Sequence, residues 1–410
     1  MLNADATTGL APGMLLDPLV IEDPYAFYRR LVRDAPVWRI PDTDIVLVSS
    51  FDAIAEVVNR TGDFSSHLRA LLYRNDDGTP AVEPFDPGIQ TLATADPPRH
   101  SVHRNAVFPE LVARRMAGLR GDIEELAAKY VTAALHDSVV EAMGALANPI
   151  PIRVVSKLIG FQDEDPDELL TAAFTSTAML AATGPHEHQL AAMEQSVAVM
   201  GWIADQLEVA INGGRAEGIL GVIATAVRAQ DIDAGEGFAV MATLLSAGGE
   251  STTGLVGNAL HLLATRPELQ AQVRQSPELL KPFIEETLRL ESPFRYHLRH
   301  ATVTTELRGV EVPAGAALLL LWGAANRDPA EFERPDDVVL NRPAPRHHLA
   351  FGRGIHLCVG APLARLEAEV ILTEILTRTL HVELAPDDLA EREHSLVVRR
   401  FKRLPLRVTT

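Results

Sequence analysis

The sequence predicts a mainly α-helical protein with small β-sheets, an α+β fold built as one domain over residues 1–410. Three observations predict it. From Pro97 to about Gly235, apolar residues recur at helical spacing, with breaks near Pro149-Ile150-Pro151 and Gly213-Gly214. A further stretch near 234–265 reads as one helix of ~32 residues, which would span ~48 Å. β-like pieces lie toward both ends, and isolated short hairpins are marginal in water, so N-terminal and C-terminal strands are expected to share a sheet. Length alone would suggest two or three domains; interleaved ends favour one.

In chain order, residues 1–20 read as an irregular lead-in and Pro24–Leu31 as a short helix. Val37–Ile40 and Ile45–Val48 read as strands joined by the turn-rich Pro41-Asp42-Thr43-Asp44. A helix from about Phe51 to Asn59 follows. Residues 61–98 carry many Pro, Asp and Gly and are expected to be a long irregular connection. After the helical middle, a helix near 277–290 precedes β-like segments over 298–321. Val397-Val398 and Leu406-Arg407-Val408 read as strand again.

Composition narrows the function. Apolar residues make up 47% of 410, enough for a large core, and one cysteine excludes an internal disulfide framework, which fits a reducing cytoplasm. Met1–Ala6 lacks the basic and apolar regions of a signal peptide. The longest apolar run, Ala314 to Ala325, falls well short of the ~20 residues of a membrane span. A net charge of −18 disfavours nucleic acid and anionic membrane as partners. A soluble, cytoplasmic monomer is expected.

The only cysteine lies in Phe351-Gly352-Arg353-Gly354-Ile355-His356-Leu357-Cys358-Val359-Gly360, and Pro362 opens an apolar helix behind it. A lone Cys is ordinarily a small buried hydrophobe. Three glycines at fixed offsets and a helix N-terminus facing the sulfur indicate instead a thiolate delivered to a fixed point. The decamer resembles the haem-binding loop of the cytochromes P-450. That resemblance implies haem b (iron protoporphyrin IX) as cofactor and Cys358 as its iron ligand, the haem lying between this loop and a long distal helix. Thiolate ligation favours O–O cleavage.

Ala247-Gly248-Gly249-Glu250-Ser251-Thr252 lies in the middle of the long helix. Gly248, Gly249, Gly254 and Gly257 each cost about 1 kcal/mol there relative to alanine, so something bulky is expected against them. An ionisable group deep in the fold suggests a functional role for Glu250; a small-residue helix crossing with a solvated Glu is the plainer reading. The segment resembles the family's Ala-Gly-x-Asp/Glu-Thr-Thr stretch, which implies Glu250 as the acid and Ser251 as the alcohol of a proton-delivery pair, with Thr252 as fallback. Serine stands where the family usually has threonine; the hydroxyl survives, but the β-branched restriction is lost.

His100 and Arg104, four apart in Asp96–Arg104, share a helix face that would ordinarily be solvated. The stretch resembles the family's Asp-Pro-x-x-His-x-x-x-Arg motif, which implies contacts to the haem propionates; Arg299 and His356 match two further contacts. Glu286-x-x-Arg289 is weak as a motif alone, but its position upstream of the cysteine loop matches the family's structural ion pair. Arg342 is a guess for its third member.

The implied activity is a haem-thiolate monooxygenase. It would insert one atom of O2 into a small, mostly apolar substrate, with electrons from NAD(P)H through a ferredoxin and its reductase. Arg114, Arg115 and Arg365 are the expected docking face. A peroxide-driven peroxygenase and a haem protein that binds ligand without turnover are the alternatives, and the Glu250/Ser251 pair argues against both. Pocket walls are expected from Leu68–Ile89, Phe174–Leu180, Leu244–Gly248 and Pro293–Leu298, the last offering polar anchoring.

Overall fold

The computed structural model describes residues 9–112, 118–162, 165–178, 180 and 186–410. Helices dominate, in the mainly α architecture with small sheets that the sequence predicts. The main sheet has strands β1 (Val37–Arg39), β2 (Ile45–Val48), β3 (Phe64–Ser65), β4 (Tyr296–Ala301) and β5 (Ala317–Leu321), in the order β1-β2-β5-β4-β3. β5 runs parallel to β2, with Leu318 opposite Val46, and antiparallel to β4, with Leu318 opposite Arg299. Every residue of β5 is buried, which explains its leucine density: a central strand covered on both faces does not alternate.

The N-terminal strands therefore pair with residues 296–321, not with the last strand. Pro405–Thr409 instead lies between His381–Leu384 and Val139–Glu141 in a separate three-stranded sheet. Val139–Glu141 was hidden inside the helical middle because three residues are too few to show a period.

Two other expectations are corrected. Residues 61–98 hold β3 and a hairpin, Ala70–Arg74 with Pro80–Pro84, closed through Asn75–Thr79 with Gly78 at φ +86°. Pro80 and Pro84 suggested a loop, yet they stand at the two ends of an edge strand, where a missing N–H costs little. The lead-in also holds regular structure: Pro12–Leu16 forms a 3-10 turn that buries Leu15 and Leu16.

Six helices frame the site: α1 (Arg99–Val107), α2 (Pro149–Ile159), α3 (Pro166–Ala178), α4 (Ala234–Thr265), α5 (Leu280–Leu290) and α6 (Ala361–Arg378). α4 starts with a capping box, in which Asp233 Oδ1 accepts from the Glu236 amide at 2.8 Å and Glu236 Oε2 from the Asp233 amide at 3.0 Å. Its middle has core on nearly all sides. A Cβ on Gly248 would lie 2.8 Å from Val155 Cγ2, one on Gly249 2.9 Å from Ile152 Cδ1, and one on Gly257 2.7 Å from Met143 Sδ. The glycines thus admit other protein elements, α2 above all, at close range.

Candidate haem site

A cavity of about 220 Å3 lies between α4 and the loop that precedes α6. On one side it is lined by Thr243, Leu244, Ala247, Gly248, Ser251 and Thr252 of α4; on the other by Phe351 to Arg353 and His356 to Gly360. The cysteine loop is shaped by Gly352 and Gly354 at φ +68° and +74°, and a Cβ on Gly354 would sit 3.1 Å from Val58 O. The Cys358 amide donates to Phe351 O at 2.9 Å, which folds the loop back under its own sulfur. The Cys358 side chain is exposed where it lines the cavity, yet the surrounding protein desolvates the free thiol and pushes it up, while the amides of Gly360 and Ala361 and the charges of Arg365 and Arg104 pull it down. The helix N-terminus acts in the expected direction, but for the free thiol burial is the larger effect.

The four rim residues converge. His100 and His356 approach to 4.3 Å between ring centres, and Arg104 Nη1 donates to Leu357 O at 3.0 Å, tying α1 to the cysteine loop. His356 Nε2 lies 2.9 Å from Ser66 Oγ. Arg299 is buried, and its one hydrogen bond among the described residues runs from Nη1 to Leu298 O at 2.7 Å; neither it nor Arg104 pairs there with a carboxylate. Burial draws Arg299 down to about 10 and His356 to about 3, so the imidazole is a neutral donor or acceptor beside two guanidinium groups. A cavity edged by two arginines and two imidazoles, none ion-paired with a carboxylate among the described residues, and facing one sulfur, fits a dianionic planar group bound through a metal. The donor set suits haem.

His297 adds to this rim. The Trp322 indole N–H donates to its Nδ1 at 2.7 Å, so the neutral ring carries its proton on Nε2, and His297 lines the cavity. Burial lowers its pKa to about 4. The sequence places it two residues before Arg299, on the same face of a strand; that period was the available signal.

Glu250, Ser251 and Thr252 divide between two sides of α4. Ser251 lines the cavity, with Oγ donating to Ala247 O at 2.6 Å, and Thr252, buried, lines it too. Glu250 does not line the cavity. It faces Arg400, whose Nε donates to Oε1 at 2.8 Å, and accepts from the Thr177 hydroxyl.

Behind the cysteine loop, Glu286 and Arg289 form a fork, with Nε to Oε1 at 2.7 Å and Nη2 to Oε2 at 2.8 Å. Arg342 Nε completes it at 2.9 Å from Glu286 Oε1. Arg289 also donates to the carbonyls of Asn326, Pro335 and Asp337, so one buried guanidinium organises the segment that leads to the cysteine.

The remaining expected residues are paired, lie off the cavity or fall outside the described residues. Arg365 is turned onto Glu285, with Nε to Oε1 at 2.6 Å and Nη2 to Oε2 at 2.9 Å, so its charge is already paired. Arg114 and Arg115 lie outside the described residues. Leu68–Ile89 does not line the cavity, because its hairpin pairs with itself and buries Leu72 in the N-terminal core; Leu92 and Ala93 line it instead. Of Phe174–Leu180, the described residues stay off the cavity; Phe174 stacks on Arg400 at 4.1 Å.

Comparison with known proteins agrees with this geometry. The family model described as Cytochrome P450 matches residues 226–400. The chain is 42% identical over 391 residues to Cytochrome P450 144 of Mycobacterium tuberculosis, covering 95% of this chain and 89% of that one. It is 33% identical to Cytochrome P450 107B1 of Saccharopolyspora erythraea, covering 98% and 99%. The solved structure of cytochrome P450 CYP109Q5 from Chondromyces apiculatus superimposes with a TM-score of 0.82 at 29% identity, covering 97% and 98%. On the strength of that shared sequence and fold along nearly its whole length, the chain belongs to the cytochrome P450 family.

Proposed function

We propose that this cytochrome P450 is a monooxygenase of a small, mostly apolar substrate, acting as one unit over residues 1–410, with electrons from NAD(P)H through a ferredoxin and its reductase. Family membership makes the reaction class monooxygenation and the cofactor haem b. One observation carries the residue roles: a single cavity is lined by Cys358, by Ser251 and by His100, Arg104, Arg299 and His356. Haem b, when bound, supplies the iron at which dioxygen is cleaved.

In this reading Cys358 would hold the haem iron through its sulfur, positioned by the loop fold and the amides of Gly360 and Ala361. His100, Arg104, Arg299 and His356 bind the propionates, and His297, fixed by Trp322, contributes a further N–H. Glu250 passes protons to Ser251 from behind α4, with Thr252 as second hydroxyl. Leu244, Ala247 and Phe294 exclude water and favour an apolar substrate over most of the wall. The Glu286–Arg289–Arg342 fork is structural.

Among the described residues no helix is long and apolar enough to cross a membrane; we place the protein in the cytoplasm, as a monomer. With Arg365 turned inward, Arg346 beside Glu285, its side chain 71% exposed, becomes a candidate for ferredoxin docking, along with Arg114 and Arg115. Label transfer tests the function. Turnover under isotopically labelled O2 with a ferredoxin, its reductase and NAD(P)H is expected to place one labelled atom in the product. Product formed at full rate with peroxide alone, and none with the redox chain, would make it a peroxygenase.

A further inference from the structure

Leu92 and Ala93 reach the cavity from a turn, Thr91–Thr94, that lies ahead of α1. The Thr94 amide donates to Thr91 O at 2.9 Å and the Thr91 amide to Thr94 Oγ1 at 3.1 Å. Leu92, which is buried, stands at φ +43°, a left-handed conformation that a leucine seldom adopts unless its surroundings impose it.

Both flanks of the turn are pinned elsewhere. Before it, the Gln90 side chain exchanges two hydrogen bonds with the Leu68 backbone, each 3.1 Å, and Ile89 Cδ1 lies 2.6 Å from where a Cβ on Gly235 would stand. After it, Asp96 Oδ1 accepts from the Ser66 amide at 2.8 Å. Among the described residues, one hydrogen bond ties the turn itself to another element: the Leu92 amide donates to His103 Nδ1 at 3.4 Å. Acceptance at Nδ1 places the proton of the neutral ring on Nε2, which lies 3.1 Å from Glu236 Oε1. His103 sits on α1, its side chain 0% exposed, and Glu236 is in the first turn of α4. Arg99 binds Glu236 from the outer side and draws its carboxyl down to about 2, so Glu236 is a fixed acceptor for the Nε2 proton. A residue that only filled the space between α1 and α4 would need neither nitrogen. His103 uses both.

We propose that His103 is a positioning residue for substrate selection. Fixed by Glu236 at Nε2, it holds Leu92 in the left-handed conformation through Nδ1, and so sets how much bulk the cavity admits on this side. The inference deepens the monooxygenase reading and rests on it for the cavity being a substrate pocket.

The test measures Soret shifts of the holoprotein with imidazole, phenylimidazole and biphenylimidazole, whose ring nitrogen binds iron while their tails probe the wall. His103→Asn keeps an acceptor near the Nδ1 position, whereas His103→Gln keeps a donor near Nε2. His103→Gln is expected to tighten biphenylimidazole relative to imidazole by about fivefold or more, and His103→Asn to keep the ratio of the unaltered protein. Leu92→Ala, which truncates the wall directly, should move the ratio in the same direction, and His103→Gln added to it should move it no further. A merely structural His103 would lower the melting temperature in both variants without moving the ratio, and that result overturns the proposal. An unmoved ratio in Leu92→Ala overturns it as well, even where His103→Gln does not fold. Ratios that shift as stated, with no labelled oxygen entering product from O2, would instead overturn the monooxygenase reading and leave the hold of His103 on the wall standing.

Discussion

Ser251 Oγ is bonded back to Ala247 O at 2.6 Å, the ordinary resting place of a helical serine. It has to leave that carbonyl to relay a proton, and without a β-methyl its rotamer is less restricted than threonine's. Ser251→Thr is expected to raise product formed per NAD(P)H with a well-bound substrate, and Ser251→Ala to divert most electrons into peroxide. Glu250→Gln should slow turnover on the order of 100-fold, the scale of one general acid. Measured peroxide yields check all three. Among the rim residues, Arg299→Leu removes a buried cation that is not ion-paired with a carboxylate among the described residues. In the proposed role, losing a charge-assisted bond to a propionate, about 1.5–3 kcal/mol, predicts roughly tenfold or greater weakening of haem retention; transfer to apomyoglobin would measure it.

At the scale of elements, the Glu286–Arg289–Arg342 fork holds the segment before the cysteine loop to α5. The Arg289 and Glu286 side chains are 0% and 1% exposed, so breaking the pair leaves an uncompensated buried charge. Arg289→Ala is expected to destabilise the fold by about 3–5 kcal/mol, read from the denaturant midpoint. Of these elements, α4 was legible almost to the residue because one helical pattern runs through the whole of 234–265. The strands of 37–48 and 296–321 were legible through β-branched and leucine density. The hairpin after Ala70 was not, because its prolines read as loop until the strand is seen to be an edge. The cysteine decamer and the Glu-x-x-Arg pair were legible as short patterns. His297 was legible as part of the Pro293–Leu298 wall but not as a donor fixed by Trp322, and Arg400 was not legible at all: its role depends on Glu250, which only the tertiary fold brings near.

Across the whole molecule, buried carboxylates link stability to pH. Burial pushes Glu285 and Glu291 up, but it is outweighed, for Glu285 by hydrogen bonds from His348 and Arg365 and for Glu291 by the charges of Arg399, Arg392 and Arg327; both carboxyls end at about 2. A folded pKa below the unfolded value gives stability that is present above pH ~4–5 and lost as pH falls toward 2. Glu250 and Glu367, raised by burial, act in the opposite sense, adding most at low pH and less as pH rises. Each depressed group contributes up to about 3 kcal/mol. The unfolding midpoint should therefore drop steeply between pH 5 and 2, less steeply in Glu285→Gln, and a flat acid limb would contradict the pairing. Electron transfer is expected to slow at high salt if Arg346 meets an acidic ferredoxin; a rate that ignores both salt and Arg346→Glu would place docking elsewhere.

The functional predictions rest on Cys358 as the residue that would hold a bound haem. Reduction under carbon monoxide tests that most directly. The protein is expected to show a long-wavelength Soret band, the mark of thiolate ligation, and Cys358→His to show the short-wavelength band of an imidazole-ligated haem while still binding the cofactor. A short-wavelength band in the unaltered protein under conditions that preserve its fold, or a long-wavelength band that survives Cys358→His, would contradict the account.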